Sequence, residues 1–191
     1  MMRAGRSLCW LLLVAGLAVT AFPARAATLA GVTLPDTTDV GGRTLVLNGL
    51  GLRTKFFIKV YVGGLYLPHR QQSPAAVTQA DEPRRMLSQF LYGVSKGQMC
   101  DAWQEGLEDN TPNPPAEVQR NFAQLCAWME PVPKGHTMVL TYVPGKGIEV
   151  ELNGQVKGTL PGKATADAIL ATWIGPKPGP GQKFKNAVLG R

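Results

Sequence analysis

"LNGLGLRTKFFIKVYVGGLYLP" (Leu47–Pro68) is the stretch on which the reading of this chain turns. Phe56, Phe57, Ile58, Val60, Tyr61 and Val62 make a run rich in β-branched and aromatic residues, the composition of a strand in a half-buried sheet. It predicts a long strand from Phe56 to Leu67, bent at Gly63-Gly64 and ended by Pro68. Arg53, Lys55 and Lys59 sit in or beside it. Such an arginine has two readings. It is a surface residue laying its stem on apolar neighbours, or it is a ligand anchor whose planar fork takes a carboxylate through two parallel hydrogen bonds.

Upstream, Val32 and Leu34 predict one short strand, and Leu45, Val46 and Leu47 begin a second. Asn48-Gly49 is a strong hairpin-turn dipeptide, but Gly51 follows it closely, so a bulge or a glycine-loosened strand is also allowed. Downstream, Ser73-Pro74 opens a short helix to Asp81, with Ser73 as N-cap. Arg84–Val94 reads as a strand, with Met86, Ser88, Phe90 and Tyr92 on one face.

The period then changes. Ser95 opens a helix in which Met99, Ala102, Trp103, Gly106 and Leu107 recur at helical spacing. After "TPNPP" a second helix carries Val118, Phe122, Leu125, Cys126 and Met129 on one stripe. Three strands follow, His136–Val143, Gly147–Leu152 and Gln155–Leu160, separated by Pro144-Gly145 and Asn153-Gly154. Lys163–Trp173 is a helix that buries Ala166, Ile169, Leu170 and Trp173, and "KFKNAVLG" ends the chain as a helical turn or two. Strands, a helical hairpin, more strands and then helices describe one α+β domain.

The first 26 of the 191 residues read as a signal peptide. Arg3 and Arg6 precede an apolar run from Leu8 to Ala21, and Ala24-Arg25-Ala26 is a small-x-small cleavage site. The run is about 14 residues, short of the roughly 20 that span a bilayer. The predicted mature domain is therefore 27–191, with a periplasmic or extracellular address and no later segment long and apolar enough to span. Without Arg3, Arg6 and Arg25 the 20 basic residues become 17, against 13 acidic ones, a net charge of +4. That excess is scattered, and no nucleic-acid motif accompanies it. Weak attraction to anionic lipid is allowed on charge alone.

Cys100 and Cys126 remain, an even count in an exported chain. They lie near the start of one predicted helix and the end of the next, so antiparallel packing brings them together as a disulfide. The alternative is two buried thiols. His69 and His136 are too few and too dispersed for a metal site, and neither pairs with a cysteine as a nucleophile. "GTLPGKAT" lacks the spacing of a phosphate loop, "GLGLR" is not a dinucleotide fingerprint, and no serine sits in a nucleophile elbow. No cofactor is expected.

The stretch resembles the signature of the chalcone isomerase-like superfamily. There a glycine-rich segment with an arginine precedes a strand whose pattern is met here by Phe57-Ile58-Lys59-Val60, Gly64 and Tyr66-Leu67. The resemblance continues through Asp101-Ala102-Trp103 and Glu105-Gly106-Leu107, through Asn153-Gly154 and Pro161-Gly162-Lys163, and through a C-terminus similar to that of the bacterial branch. It implies an open-faced β-sandwich, a large antiparallel sheet covered by helices. It also implies either a chalcone-type isomerase acting on an unsaturated ketone or a non-catalytic binder of fatty acid, with Arg53 on the carboxylate. The catalytic threonine of the enzymes falls on Tyr61, their ketone-polarising tyrosine near Val94 with Tyr92 close by, and a following asparagine near Asp101. With those positions changed, the resemblance implies a binder of a small amphipathic acid, with Arg53, Tyr61, Tyr66 and Tyr92 as candidate ligand contacts. A third reading is an interaction protein whose cleft receives a segment of an unknown partner.

Overall fold

The computed structural model describes residues 26–191. The predicted leader lies outside the described residues except for Ala26, the first residue of the first strand. A two-stranded hairpin, β1 (Ala26–Leu29) and β2 (Val32–Pro35), precedes a seven-stranded sheet. The sheet strands are β3 (Thr37–Val40), β4 (Arg43–Lys55), β5 (Ile58–Leu67), β6 (Arg84–Phe90), β7 (Thr137–Val143), β8 (Gly147–Leu152) and β9 (Gln155–Leu160). They pair antiparallel in chain order. The helices are α1 (Pro74–Gln79), α2 (Lys96–Asn110), α3 (Ala116–Trp128), α4 (Lys163–Ile174) and α5 (Gln182–Val188). The predicted α+β class and large helix-covered antiparallel sheet are what the structure shows.

Alternation along β5 sorts its side chains between two layers. Tyr61, Leu65 and Leu67 enter the main core with the helices, while Val62 and Tyr66 face the other side. There Val62 packs with Val32 and Leu34 of the β1–β2 hairpin, and Tyr66 with Val40, Leu45 and Leu47. The sheet is thus covered by helices on one face and partly by a hairpin on the other.

The opening stretch folds differently from its reading in one respect. Phe56 and Phe57 do not start a strand; they are the turn between β4 and β5, 87% and 100% exposed. Phe56 takes φ 56°, a left-handed conformation that bulky residues rarely adopt. Asn48 is a bulge rather than a turn: the register passes from Leu47↔Tyr66 to Gly49↔Leu65 and leaves it unpaired. The strand predicted to reach Val94 ends at Phe90, and Val94 makes an isolated bridge to Val132.

The caps follow the sequence. The Ser73 hydroxyl accepts from the Ala76 N–H at the start of α1, and Ser95 forms a reciprocal capping box with Gln98 on α2. Helices α2 and α3 lie antiparallel, and Cys100 and Cys126 are joined by a disulfide with Cα atoms 5.2 Å apart. Helix α4 is tied to the sheet by Arg84 of β6. This arginine is 4% exposed, pairs with the Asp167 carboxylate, donates to the Val77 carbonyl at 3.3 Å and lies 4.7 Å from the centre of the Tyr142 ring. A buried charge held this fully is costly to disturb.

Two buried phenols set an alkaline limit. Tyr66 donates to the Pro35 carbonyl at 2.9 Å, and burial pushes its pKa up to about 12. Tyr142 donates to the Asp81 carboxylate at 2.6 Å and is also pushed up to about 12, by burial first and by Asp81 second. The folded state holds these protons more tightly than the unfolded chain, whose phenols titrate near 10. Their contribution is therefore complete below pH 10 and lost as pH rises through 12. Circular dichroism against pH is expected to show unfolding in that window. Tyr66→Phe should flatten the loss; an unchanged alkaline transition would contradict the assignment.

Candidate functional site

A cavity of about 500 Å³ lies between the helix face of the sheet and the roof formed by α2 and α4. That size is within the range of small-molecule sites. Val60, Tyr61, Phe90 and Met138 form its floor; Met99 and Trp103 on α2 and Thr172 and Trp173 on α4 form its roof. Lys55, Phe56, Ile58 and Tyr92 line it from the β4–β5 turn and the segment after β6. The wall is mostly apolar, and its polar groups include Arg53 and Tyr61 from the sheet, Thr172 on α4 and Gln98, Asp101 and Glu105 on α2.

Two of these polar groups share a single rung of the β4–β5 ladder. Arg53 pairs directly with Tyr61, so both side chains leave the same face of the sheet. The preceding rung on that face is Gly51 opposite Gly63. A Cβ at Gly51 would lie 2.7 Å from Cδ2 of Phe184, and one at Gly63 would lie 2.6 Å from Cζ of the same ring. Only glycine leaves room there for Phe184, which α5 lays flat against the two strands. Phe184 then meets Tyr61 edge-on, with ring centres 5.7 Å apart, and Phe90 meets it from the other side at 5.4 Å. The glycine-rich run before Arg53 thus serves the anchoring of Tyr61.

Two donors stand at the rung, and a third lines the same cavity. Trp173 Nε1–H donates to the Tyr61 hydroxyl oxygen at 2.9 Å, which leaves the Tyr61 O–H free to donate elsewhere. The Arg53 guanidinium carbon stands 5.9 Å from the centre of the Tyr61 ring, and among the described residues no carboxylate forms an ion pair with it. Trp103 lines the same cavity, and its buried Nε1–H has no partner. Burial pushes the Tyr61 pKa up, and the Arg53 charge pulls against that shift. The phenol is therefore a neutral hydrogen bonder at ordinary pH, not a base. A group that takes a proton from a substrate works best with a pKa near the operating pH, and Tyr61 moves away from it. The arrangement is built to receive an acceptor, ideally an anionic one with two oxygens.

Arg53, Tyr61 and Tyr92 all line this cavity, as do Val94 and Asp101, the other positions placed by register. Tyr92 sits at its mouth, 52% exposed. Tyr66 does not reach it: it lies five residues from Tyr61 on one strand and so points to the opposite face, into the layer below. Trp173 and Trp103 were legible as buried helix residues but not as site residues. Their roles depend on α2 and α4 meeting over β5, where the two indole rings pack edge-to-face at 5.2 Å. Among the described residues no cluster of three or more His, Cys, Asp or Glu is placed to hold a metal ion, and no helix is long and apolar enough to cross a membrane.

The model of a family described as chalcone isomerase-like matches residues 26–190. No curated protein sequence matches the chain. Among solved structures, the chain is similar to an Arabidopsis thaliana fatty-acid binding protein, at 19% identity and a TM-score of 0.69, over 86% of this chain and 96% of that one.

Proposed function

The chain belongs to the chalcone isomerase-like family, and from that premise we propose that it is a non-catalytic binder of a small amphipathic acid, a fatty acid first among them. The observation that carries this reading is the Arg53–Tyr61 rung lining a mostly apolar cavity, an arginine without a carboxylate beside a phenol with a free O–H. A ligand carboxylate would take the guanidinium fork and the Tyr61 O–H, with its chain among Val60, Phe90, Met99 and Met138. The structural neighbour that is named for binding fatty acid supports the same reading. Cyclisation of a chalcone needs groups poised to move a proton or polarise a ketone, and Tyr61 stands where the enzymes carry threonine.

Mass spectrometry of an organic extract of the purified protein tests this, with Arg53→Ala beside it. The expected result is a co-purifying acid that the variant lacks. Added fatty acid should bind the variant about tenfold to a hundredfold more weakly, because a hydrogen-bonded charge contributes about 1.5–3 kcal/mol. Equal binding by both proteins would return Arg53 to an ordinary surface role, and turnover of a chalcone would overturn the non-catalytic reading.

We also propose that residues 1–26 are a signal peptide and that the domain works in the periplasm or outside the cell. The Cys100–Cys126 bond supports this, since disulfides persist in oxidising compartments. N-terminal mass analysis of protein recovered from whole cells tests it: an N-terminus at Ala27 is expected, and an intact Met1 would refute it.

A further inference from the structure

The β4–β5 turn carries more apolar surface than its fold requires. Phe56 is 87% exposed, Phe57 is 100% exposed and Ile58 is 45% exposed, three consecutive residues at one tip. Scattered apolar side chains on a surface need no explanation, but a contiguous exposed patch marks an interaction site. The backbone adds a second, independent sign. Phe56 holds φ 56°, a conformation that glycine or asparagine adopts at little cost and a bulky aromatic does not. Turn geometry alone would favour the smaller residue, so the ring is kept for something outside the fold. Lys55 and Lys59 flank the three residues, both exposed, and among the described residues neither forms an ion pair.

From this we infer that the 55–59 turn is a membrane-docking tip that inserts Phe56, Phe57 and Ile58 into the headgroup region of an anionic bilayer, with Lys55 and Lys59 on the lipid phosphates. Aromatic rings flanked by lysine are the composition of an interfacial anchor: the rings settle at the boundary between headgroup and acyl chain, and the ammonium groups stay among the anions. A turn with three apolar residues binds weakly and reversibly, as a protein that visits a membrane must. The location fits the same reading. Lys55, Phe56 and Ile58 also line the mouth of the cavity, so docking the tip turns that mouth toward the lipid. The inference stands on the tip itself, not on what the cavity holds.

The test uses the protein as the cell processes it, with variants that share its N-terminus, so that any contribution of the leader is common to all. Vesicles of equimolar phosphatidylcholine and phosphatidylglycerol are compared with vesicles of phosphatidylcholine alone by co-sedimentation. Phe57→Ser is the main variant. Phe57 is fully exposed and does not line the cavity, so the fold should be unaffected. Wild type is expected to bind the mixed vesicles about tenfold more tightly than Phe57→Ser, the fold-change that follows from keeping one aromatic ring out of water. Lys59→Glu should weaken binding to the mixed vesicles and not to the neutral ones. Amide hydrogen exchange over residues 54–60 should slow when mixed vesicles are added. Equal binding by wild type and Phe57→Ser, or unchanged exchange over 54–60, would overturn the inference. So would self-association that protects the tip in the absence of lipid, because a second copy of the chain would then be its partner.

Discussion

Serine at both Cys100 and Cys126 is expected to lower the stability of the domain by about 3–4 kcal/mol on the chain-entropy account of a cross-link. The two cysteines are 26 residues apart, and the bond removes from the unfolded chain the freedom of that loop. Apart from the chain of residues 111–115, it is the covalent tie between α2 and α3. Their remaining contact includes the edge-on packing of Trp103 on Phe122, with ring centres 6.5 Å apart. Denaturant unfolding measures the loss, with a lower midpoint and a steeper slope because the chain freed of its cross-link unfolds to a more open state. The effect should extend to the site, because α2 carries Met99 and Trp103 over the cavity. On the proposed reading, affinity for added fatty acid is expected to fall in parallel when the wild type is reduced. A loss below about 1 kcal/mol would show that packing alone holds the helical hairpin in register.

Asn48→Ala is expected to cost about 3 kcal/mol, although the residue does not line the cavity. Asn48 is 3% exposed, and its amide is spent on three bonds. Nδ2 donates to the Gln71 carbonyl at 3.0 Å and to the Val188 carbonyl at 2.8 Å, and Oδ1 accepts from the Gln71 N–H at 2.7 Å. Alanine would leave the buried Val188 carbonyl and the half-buried backbone of Gln71 without this partner. Through Val188 the same amide holds the end of α5, the helix that supplies Phe184 behind Tyr61. Thermal unfolding gives the stability, and the near-ultraviolet signal of Tyr61 and Trp173 reports whether the site has loosened. A variant as stable as the wild type would mean that the bulge at Asn48 is held by β4–β5 pairing alone.

Much of the architecture could be read from local chemistry. The strands β8 and β9 begin and end where Pro144-Gly145, Asn153-Gly154 and Pro161-Gly162 place turns. Ser73 and Ser95 open their helices as caps, and the antiparallel helical hairpin brought two distant cysteines to one bond. The turn at Phe56-Phe57 has no local signature, and the bulge at Asn48 is one of the two readings its dipeptide left open. Phe56-Phe57 contains no glycine, proline or asparagine, so nothing in its composition announces a turn, whereas Asn48-Gly49 carries a hairpin signature and is a bulge. In both places the sheet decided what the dipeptide could not. Period-2 alternation already separated Tyr66 from Tyr61, and applying it would have removed Tyr66 from the site. Trp103 and Trp173 were legible as core, but their convergence over Arg53 and Tyr61 is a matter of how two helices cross a sheet, which no local pattern encodes.

The bond from Asn48 to Val188 has a bearing on the order of assembly. Every strand of the main sheet pairs with its successor, with α1 between β5 and β6 and the α2–α3 hairpin between β6 and β7 as the long connections. The seat of α5 spans further. It joins positions 140 apart in the chain, and it is reinforced by Gln72 donating to the Gly190 carbonyl at 2.9 Å and Arg191 donating to the Gln72 carbonyl at 2.6 Å. That closure carries the entropy of a loop spanning most of the domain. Phe184 therefore reaches Gly51 and Gly63 only after the last residues of the chain are available. Until then Tyr61 lacks the ring that backs it, so the wall of the cavity is incomplete without the C-terminal segment.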